Sequence, residues 1–292
     1  MRPELVVAIC GFAAAALAFA ISATRKLPAV PDVASAERAV RRSIWRHPRV
    51  RRFLTERVDR KAAGGFLLTI SVGVLFAMAF FLGVILDLID NLPAVASADK
   101  WVAEWGSRNG TSTTADAMKL ITHLGSTPVV AAALLITACI DYARRRSGEV
   151  FAFVAAIGLG ELLLNNLLKL IVHRERPSIL RLVTANGYSF PSGHTAAATA
   201  GWLAIALVFS RDRSRVTRSL LIGCAALIAF SVATSRALLG VHWLTDVIGG
   251  LALGLGWFLI VAIIFGGRAQ RLGDPVSDGP KGVTATPESP PK

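Results

Sequence analysis

Long apolar stretches alternate with short polar ones along this chain, and the apolar stretches exceed what a soluble domain needs for its buried helices. About 20 consecutive apolar residues cross the hydrocarbon core of a bilayer, with a usable range of roughly 17 to 25. Windows of that kind recur near residues 5–23, 65–86, 127–143, 150–172, 195–210, 219–235 and 243–265. A lipid-facing backbone must satisfy its own hydrogen bonds, so each window reads as a helix. The pattern therefore predicts an all-α, polytopic membrane bundle of seven spans. Residues 87–126, between the second and third spans, read as a connecting loop.

Composition agrees: 53% of the 292 residues are hydrophobic. The formal net charge of +13 raises nucleic acid as a partner, but its distribution excludes that. Lys and Arg sit in short blocks between spans, as membrane topology requires, and no soluble basic domain is visible. The partners expected are membrane lipids. Cys10, Cys139 and Cys224 each fall inside an apolar window, which supports neither a disulfide framework nor a zinc site.

Charge also orients the spans. Residues 25–61 carry 12 Lys/Arg against 4 Asp/Glu, a block that resists translocation. Residues 1–24 therefore read as an uncleaved anchor with its N-terminus outside, in preference to a secretory signal. The basic arm, 25–63, then lies inside, either as an amphipathic helix on anionic lipid or as a solvated linker. Arg144, Arg145 and Arg146 fall inside as well, as do the arginines of 211–218 and of the tail. The acidic 87–126 segment falls outside. One segment breaks the rule: 173–181 is basic yet assigned outside, so its charges need a local purpose. Residues 268–292, rich in Pro, Gly and Ser, are expected to be a disordered tail.

Three polar clusters fall at outward span ends: Lys169 to Pro177, Pro191 to His194, and Ser235 to Asp246. Lys169 and Arg176 are two helical turns apart and share a face if the helix continues to Pro177, with Glu161 and Asn165 extending that stripe inward. A charge at bilayer depth costs about 2.5–3.5 kcal/mol unless it faces a polar interior; Lys169 alone is equally readable as an interfacial lysine that snorkels. Pro191, Ser192 and Gly193 suit a helix start, either as a plain cap or as an anion cradle of free N–H groups. His242 and Asp246 are spaced to meet on one helix face, where a carboxylate on one imidazole nitrogen sharpens the other as a nucleophile. Arg236 lies across a turn containing Gly240. Three cations imply a multiply charged anion, and phosphate fits better than carboxylate. Two histidines suit displacement at phosphorus, one attacking and one protonating the leaving oxygen.

In order, Lys-x6-Arg-Pro, Pro-Ser-Gly-His and Ser-Arg-x5-His-x3-Asp resemble the three-part signature of the type 2 phosphatidic acid phosphatase superfamily, in its membrane lipid phosphatase branch. Every key position matches: Lys169, Arg176, Pro177, the run Pro191 to His194, Ser235, Arg236, His242 and Asp246. The resemblance implies a six-span phosphatase domain at 64–267, with the first span additional to it. It implies hydrolysis of a lipid phosphate monoester or pyrophosphate through a phosphohistidine. His242 is then the nucleophile, Asp246 orients it and His194 is the acid and base. Lys169, Arg176, Ser192, Gly193 and Arg236 hold the phosphoryl oxygens, with no cofactor or metal required. The rivals are a phosphotransferase using a hydroxyl acceptor, a vanadate-dependent oxidase, and a transporter or channel built on the intramembrane charges. Topology puts the site on the exoplasmic face of a bacterial cell membrane. Neither the particular lipid nor the oligomeric state is legible.

Overall fold

The computed structural model describes residues 63–178 and 182–272. The expected anchor, the arm up to residue 62 and the tail beyond residue 272 lie outside them. Eight helices follow in order: α1 Ala63–Asn91, α2 Pro93–Asn109, α3 Ser112–His123, α4 Thr127–Arg145, α5 Glu149–Val172, α6 Gly193–Ser210, α7 Arg215–Leu238 and α8 Leu244–Leu272. There is no strand among the described residues. Six helices are long and apolar enough to cross a membrane: α1, α4, α5, α6, α7 and α8. They coincide with the expected windows after the first, to within a few residues at each end, and the protein is a multi-pass membrane protein.

The bundle is organised around α6, of whose most apolar window 61% is buried, against 11% for α1. Helices α4, α5, α7 and α8 all pack on it, and α1 packs along α8. Composition explains the choice. Without a hydrophobic drive between helices in lipid, close approach favours small residues. Here α6 is rich in Ala, Gly and Thr, with Ala196, Ala198, Ala200 and Ala204 at most 1% exposed. The facing side of α8 supplies Gly250 and Gly254. A Cβ at Gly254 would fall 2.5 Å from the carbonyl oxygen of Ala196, and one at Gly250 would fall 2.7 Å from that of Ser192. This glycine face of α8 thus serves packing within one chain.

The segment expected to be a loop is instead two helices, and this is a correction. Pro93 opens α2 at its first turn, where a missing N–H costs nothing. Thr111 and Thr114 cap α3 reciprocally, with N–H to Oγ1 distances of 2.8 and 3.3 Å. Neither spans by length and composition: α3 has 12 residues, and α2 carries charged and polar residues through its 17. They lie against α7, and α2 also touches α1 and α8. Their buried faces are small and partly polar: Asp99, Ala103 and Gly106 on α2, Thr114, Ala115, Met118 and Thr122 on α3. Two of those polar residues, Asp99 and Thr122, reach side chains of the polar clusters.

At the opposite end of the bundle, Arg145 joins the end of α4 to the α6–α7 turn through Asp212, at 2.9 Å. The two described arginine blocks assigned inside, 144–146 and 211–218, thus share one end, and the three polar clusters share the other.

Candidate active site

Where α5 and α7 finish and α6 and α8 begin, a cavity of about 570 Å3 opens. Lys169, Arg176, Gly193, His194, Arg236 and His242 all line it. Ser192 and Asp246, the other two candidates, lie behind its wall and are fully buried. Residues up to 77 positions apart in the chain, Lys169 and Asp246, therefore serve one place.

Arg176 does not reach the cavity as expected. Helix α5 stops at Val172, and His173 adopts a left-handed conformation, φ 52°, with its N–H donating to the Lys169 carbonyl. The two-turn helical stripe from Lys169 to Arg176 is therefore broken. Arg176 arrives instead from the following loop, and its fork explains how. Nε donates to the Gly187 carbonyl at 2.9 Å, Nη2 to those of Asn186 and Tyr188 at 3.1 Å, and Nη1 to that of Val241 at 2.8 Å. The guanidinium ties the α5–α6 loop to the α7–α8 turn. Nη1 also lies 3.1 Å from His242 Nε2. Arginine can only donate, so Nε2 is the acceptor and the imidazole proton belongs on Nδ1.

At the start of α6, Ser192 is the N-cap residue but makes no capping bond through its side chain. Its N–H donates to the Asp246 carbonyl at 3.0 Å, and its hydroxyl oxygen accepts from Thr195 Oγ1 at 3.0 Å. Only the Ser192 hydroxyl proton remains to donate, so the N–H expected in the cradle is committed elsewhere. Gly193 begins the helix proper, where first-turn N–H groups lack helical partners. A Cβ there would meet Asn165 Oδ1 at 3.1 Å and Lys169 Nζ at 3.6 Å. The missing side chain lets the amide and the ammonium approach the helix start.

His242 and Asp246 do not share a helix face, since α8 begins only at Leu244. Gly240, with φ 70°, turns the chain after α7 and sets His242 just ahead of α8. The side chains still meet, His242 Nδ1 lying 3.4 Å from Asp246 Oδ2. That contact is an electrostatic pairing with no hydrogen bond formed at Nδ1. Asp246 Oδ2 accepts from the Trp243 N–H at 2.9 Å, which caps α8. Burial pushes the His242 imidazole down from 6.5 to about 4, the Asp246 carboxylate only partly offsetting it. Nε2 is therefore unprotonated at neutral pH, with Arg176 Nη1 donating to it.

Sequence reasoning missed the support behind Asp246. Arg174 Nη1 donates to Asp246 Oδ1 at 2.6 Å and to Thr245 Oγ1 at 2.7 Å, while Nη2 pairs with Asp99 Oδ2 at 2.7 Å. Asp99 also accepts from the Thr245 N–H at 2.9 Å and its hydroxyl at 2.6 Å. Arg174 stacks 5.7 Å from the Trp243 ring centroid, and the indole N–H donates to the Glu175 carbonyl at 2.9 Å. One signal for this was visible: 173–181 was the basic segment that violated the charge rule. Arg236 has a comparable support on α3, with Nη1 3.4 Å from Thr122 Oγ1 and its Nε unpartnered.

This bundle, with one polar cavity at its end, has counterparts among known proteins. The PAP2 superfamily model matches residues 149–269. Phosphatidylglycerophosphatase B of Bacillus subtilis is 32% identical over 184 residues, 62% of this chain and 89% of its own. The crystal structure of a transmembrane PAP2-type phosphatidylglycerolphosphate phosphatase from Bacillus subtilis superposes with a TM-score of 0.61 at 28% identity. It covers 68% of this chain and 96% of that one. Lipid A 1-phosphatase of Rhizobium etli is 37% identical over 114 residues, 35% of this chain and 45% of its own. The chain belongs to the PAP2 superfamily, in its membrane lipid phosphatase branch.

Proposed function

We propose that this protein hydrolyses a lipid phosphate monoester or pyrophosphate through a phosphohistidine, without a metal ion, on the exoplasmic face of the membrane. The observation that carries the reading is one cavity lined by Lys169, Arg176 and Arg236 together with His194 and His242. His242 Nε2 attacks phosphorus as the bond to the leaving oxygen breaks, and His194 gives that oxygen its proton. A water then attacks the phosphohistidine, His194 accepts the water proton, and phosphate leaves. Asp246 faces the Nδ1 proton and stabilises the charge that His242 acquires. The three cations and the Gly193 amide hold oxygens whose charge grows in the transition state, and the Ser192 hydroxyl joins them only if substrate reaches past the Gly193 wall. Fixed cations serve here in the role that magnesium serves in many phosphoryl transfers. The unit that does this is 64–267, with 1–24 as an anchor and 25–63 as a cytoplasmic arm.

The relatives' names choose the substrates to try. Purified protein in micelles, with EDTA present, is offered a phosphatidylglycerol phosphate, a lipid A 1-phosphate, a phosphatidic acid and a polyprenyl pyrophosphate. Phosphate release from at least one, inhibited by vanadate as a mimic of five-coordinate phosphorus, is expected. A strict magnesium requirement, or release from none, overturns the reading.

The arginines provide a second check. Arg236→Lys keeps the charge and loses the planar fork, and should cost at least about tenfold in kcat/KM, roughly 1.4 kcal/mol. Arg176→Lys should cost more, because lysine cannot make the contacts of that fork to four carbonyls. Near-normal kcat/KM in Arg236→Lys would reduce that residue to general attraction.

Sidedness is tested separately. Ser178 and Ser214 are both exposed, near opposite ends of the bundle. Each is replaced by cysteine in a background without Cys10, Cys139 and Cys224, and intact cells are treated with an impermeant thiol reagent. Labelling is expected at position 178 alone; labelling at 214 alone would put the cavity on the cytoplasmic face.

A further inference from the structure

Two polar groups on α5 are not used by the mechanism above. Glu161 is 5% exposed and Asn165 3% exposed, both within a membrane-spanning helix. Glu161 Oε1 and Asn165 Nδ2 are buried with no hydrogen-bond partner. No ion pair to Glu161 occurs among the described residues. Both residues nevertheless line the polar cavity that holds Lys169 and the two histidines. A carboxylate placed at that depth is expensive unless it serves a ligand or a polar pathway, and buried polar atoms of folded proteins are rarely left unpaired.

Position tells what the ligand is. At a rise of about 1.5 Å per residue, Asn165 lies about 6 Å and Glu161 about 12 Å along α5 from Lys169. The Asn165 amide and the Lys169 ammonium press on the same point at Gly193, so Asn165 borders the phosphate position. Glu161 is one turn deeper, and it also lines a second cleft of about 410 Å3 between α4, α5 and α6. That cleft is otherwise apolar in character, with Val130, Leu134, Phe151 and Val154 on its walls. Glu161 and Leu162 belong to both spaces. A lipid with its phosphate beside Lys169 and its chain in the cleft therefore draws its connecting atoms past Asn165 and Glu161. A carboxylate accepts hydrogen bonds, so it repels phosphate oxygens, gains nothing from ester carbonyls, and is matched by a donor. An ammonium donor would share the cavity with Lys169, Arg176 and Arg236, which leaves a neutral hydroxyl as the better complement.

We propose that Glu161 and Asn165 form a recognition subsite for the leaving alcohol, selecting lipid phosphates that carry a free hydroxyl next to the phosphoester. The inference rests on the phosphatase reading. The hydroxyl donates to Glu161, and Asn165 Nδ2 donates to the hydroxyl or ester oxygen. A fully acylated or purely hydrocarbon alcohol leaves the carboxylate unmatched, and sites built for a hydroxyl discriminate strongly against analogues that lack it.

The test compares 1-acylglycerol 3-phosphate with its 2-deoxy analogue, which differ only in that hydroxyl, using the full chain in micelles. The wild type should prefer the hydroxyl substrate by at least about tenfold in kcat/KM. Glu161→Leu should bring the ratio close to one by losing activity on the hydroxyl substrate while retaining it on the deoxy analogue. Glu161→Gln, which can still accept, should keep part of the preference. The ratio is independent of how much protein folds, so a destabilised variant still reports. Equal efficiency of the wild type on both substrates overturns the subsite, as does an equal loss on both in Glu161→Leu. If the wild type hydrolyses neither these nor any other lipid phosphate, the phosphatase reading itself has failed, an outcome distinct from hydrolysis without preference.

Discussion

Replacing His242 by alanine is expected to abolish turnover and, with it, any phosphoenzyme trapped by acid quench. The imidazole is buried, and its Nε2 faces the cavity beside Arg176 while Asp246 lies against its Nδ1, an arrangement that picks it out from His123 and His194, which line the same space. His194→Ala should behave differently. General acid catalysis contributes about 10²–10⁴-fold, so a loss of that size is expected on a lipid phosphate, whose alkoxide is a poor leaving group. On an aryl phosphate with an acidic phenol, protonation matters little and formation of the intermediate should fall by less than about tenfold. Hydrolysis of the phosphohistidine still needs a base, so the variant should release a burst of phenol and then turn over slowly. Equal losses on the two substrates would remove His194 from the role of acid. Wild-type burst amplitude adds a check on the nucleophile. Because burial holds His242 at about 4, it stays neutral as pH falls through 6.5, and the amplitude should persist in that range. An amplitude that fades with a midpoint near 6.5 would mean an ordinary, solvated imidazole.

What could be read from the chain alone follows from how each feature is encoded. The membrane spans depend on average apolarity over a long window, a local property, and α4 through α8 were legible to within a few residues. The residues that gather at the candidate site were legible because they lie in three short runs whose order and placement at span ends restrict what they can form. The helices α2 and α3 were not legible. Their signals were Pro93 at a first turn and a Thr111–Thr114 cap, while their buried faces are small and mixed in polarity. The end of α5 was equally hidden: Pro177 suggested where the helix must stop, but it stops at Val172, with His173 as a left-handed cap where no glycine marks the position. That early stop moves Arg176 from a helix face to a loop and brings Arg174 inward. The role of Asp99 was out of reach, since its partner Arg174 is 75 residues away and the acid looked like one more charge on an outer loop.

Removing Arg174 should cost nearly as much as removing a group that touches substrate, although it acts through others. Its side chain is 15% exposed and holds two carboxylates, Asp99 and Asp246, that are 3% and 0% exposed. Breaking a buried ion pair from one side typically costs about 3–5 kcal/mol, because the remaining charge is left uncompensated. Arg174→Leu strands both acids, so a large drop in thermal midpoint is expected, with kcat down by about 10²-fold in the protein that remains folded. The double variant Arg174→Leu, Asp99→Leu separates the two effects. Replacing both partners of a buried pair by apolar residues is often neutral for stability, so the midpoint should recover the part lost through Asp99, while Asp246 remains uncompensated. Asp246 would still lack the guanidinium at Oδ1, leaving its orientation to Oδ2 alone, which is shared between the Trp243 N–H and His242. The kcat should therefore stay low in the double variant while KM changes little. Recovery of kcat in step with the midpoint would show that Arg174 and Asp99 serve only to hold α2 against the bundle.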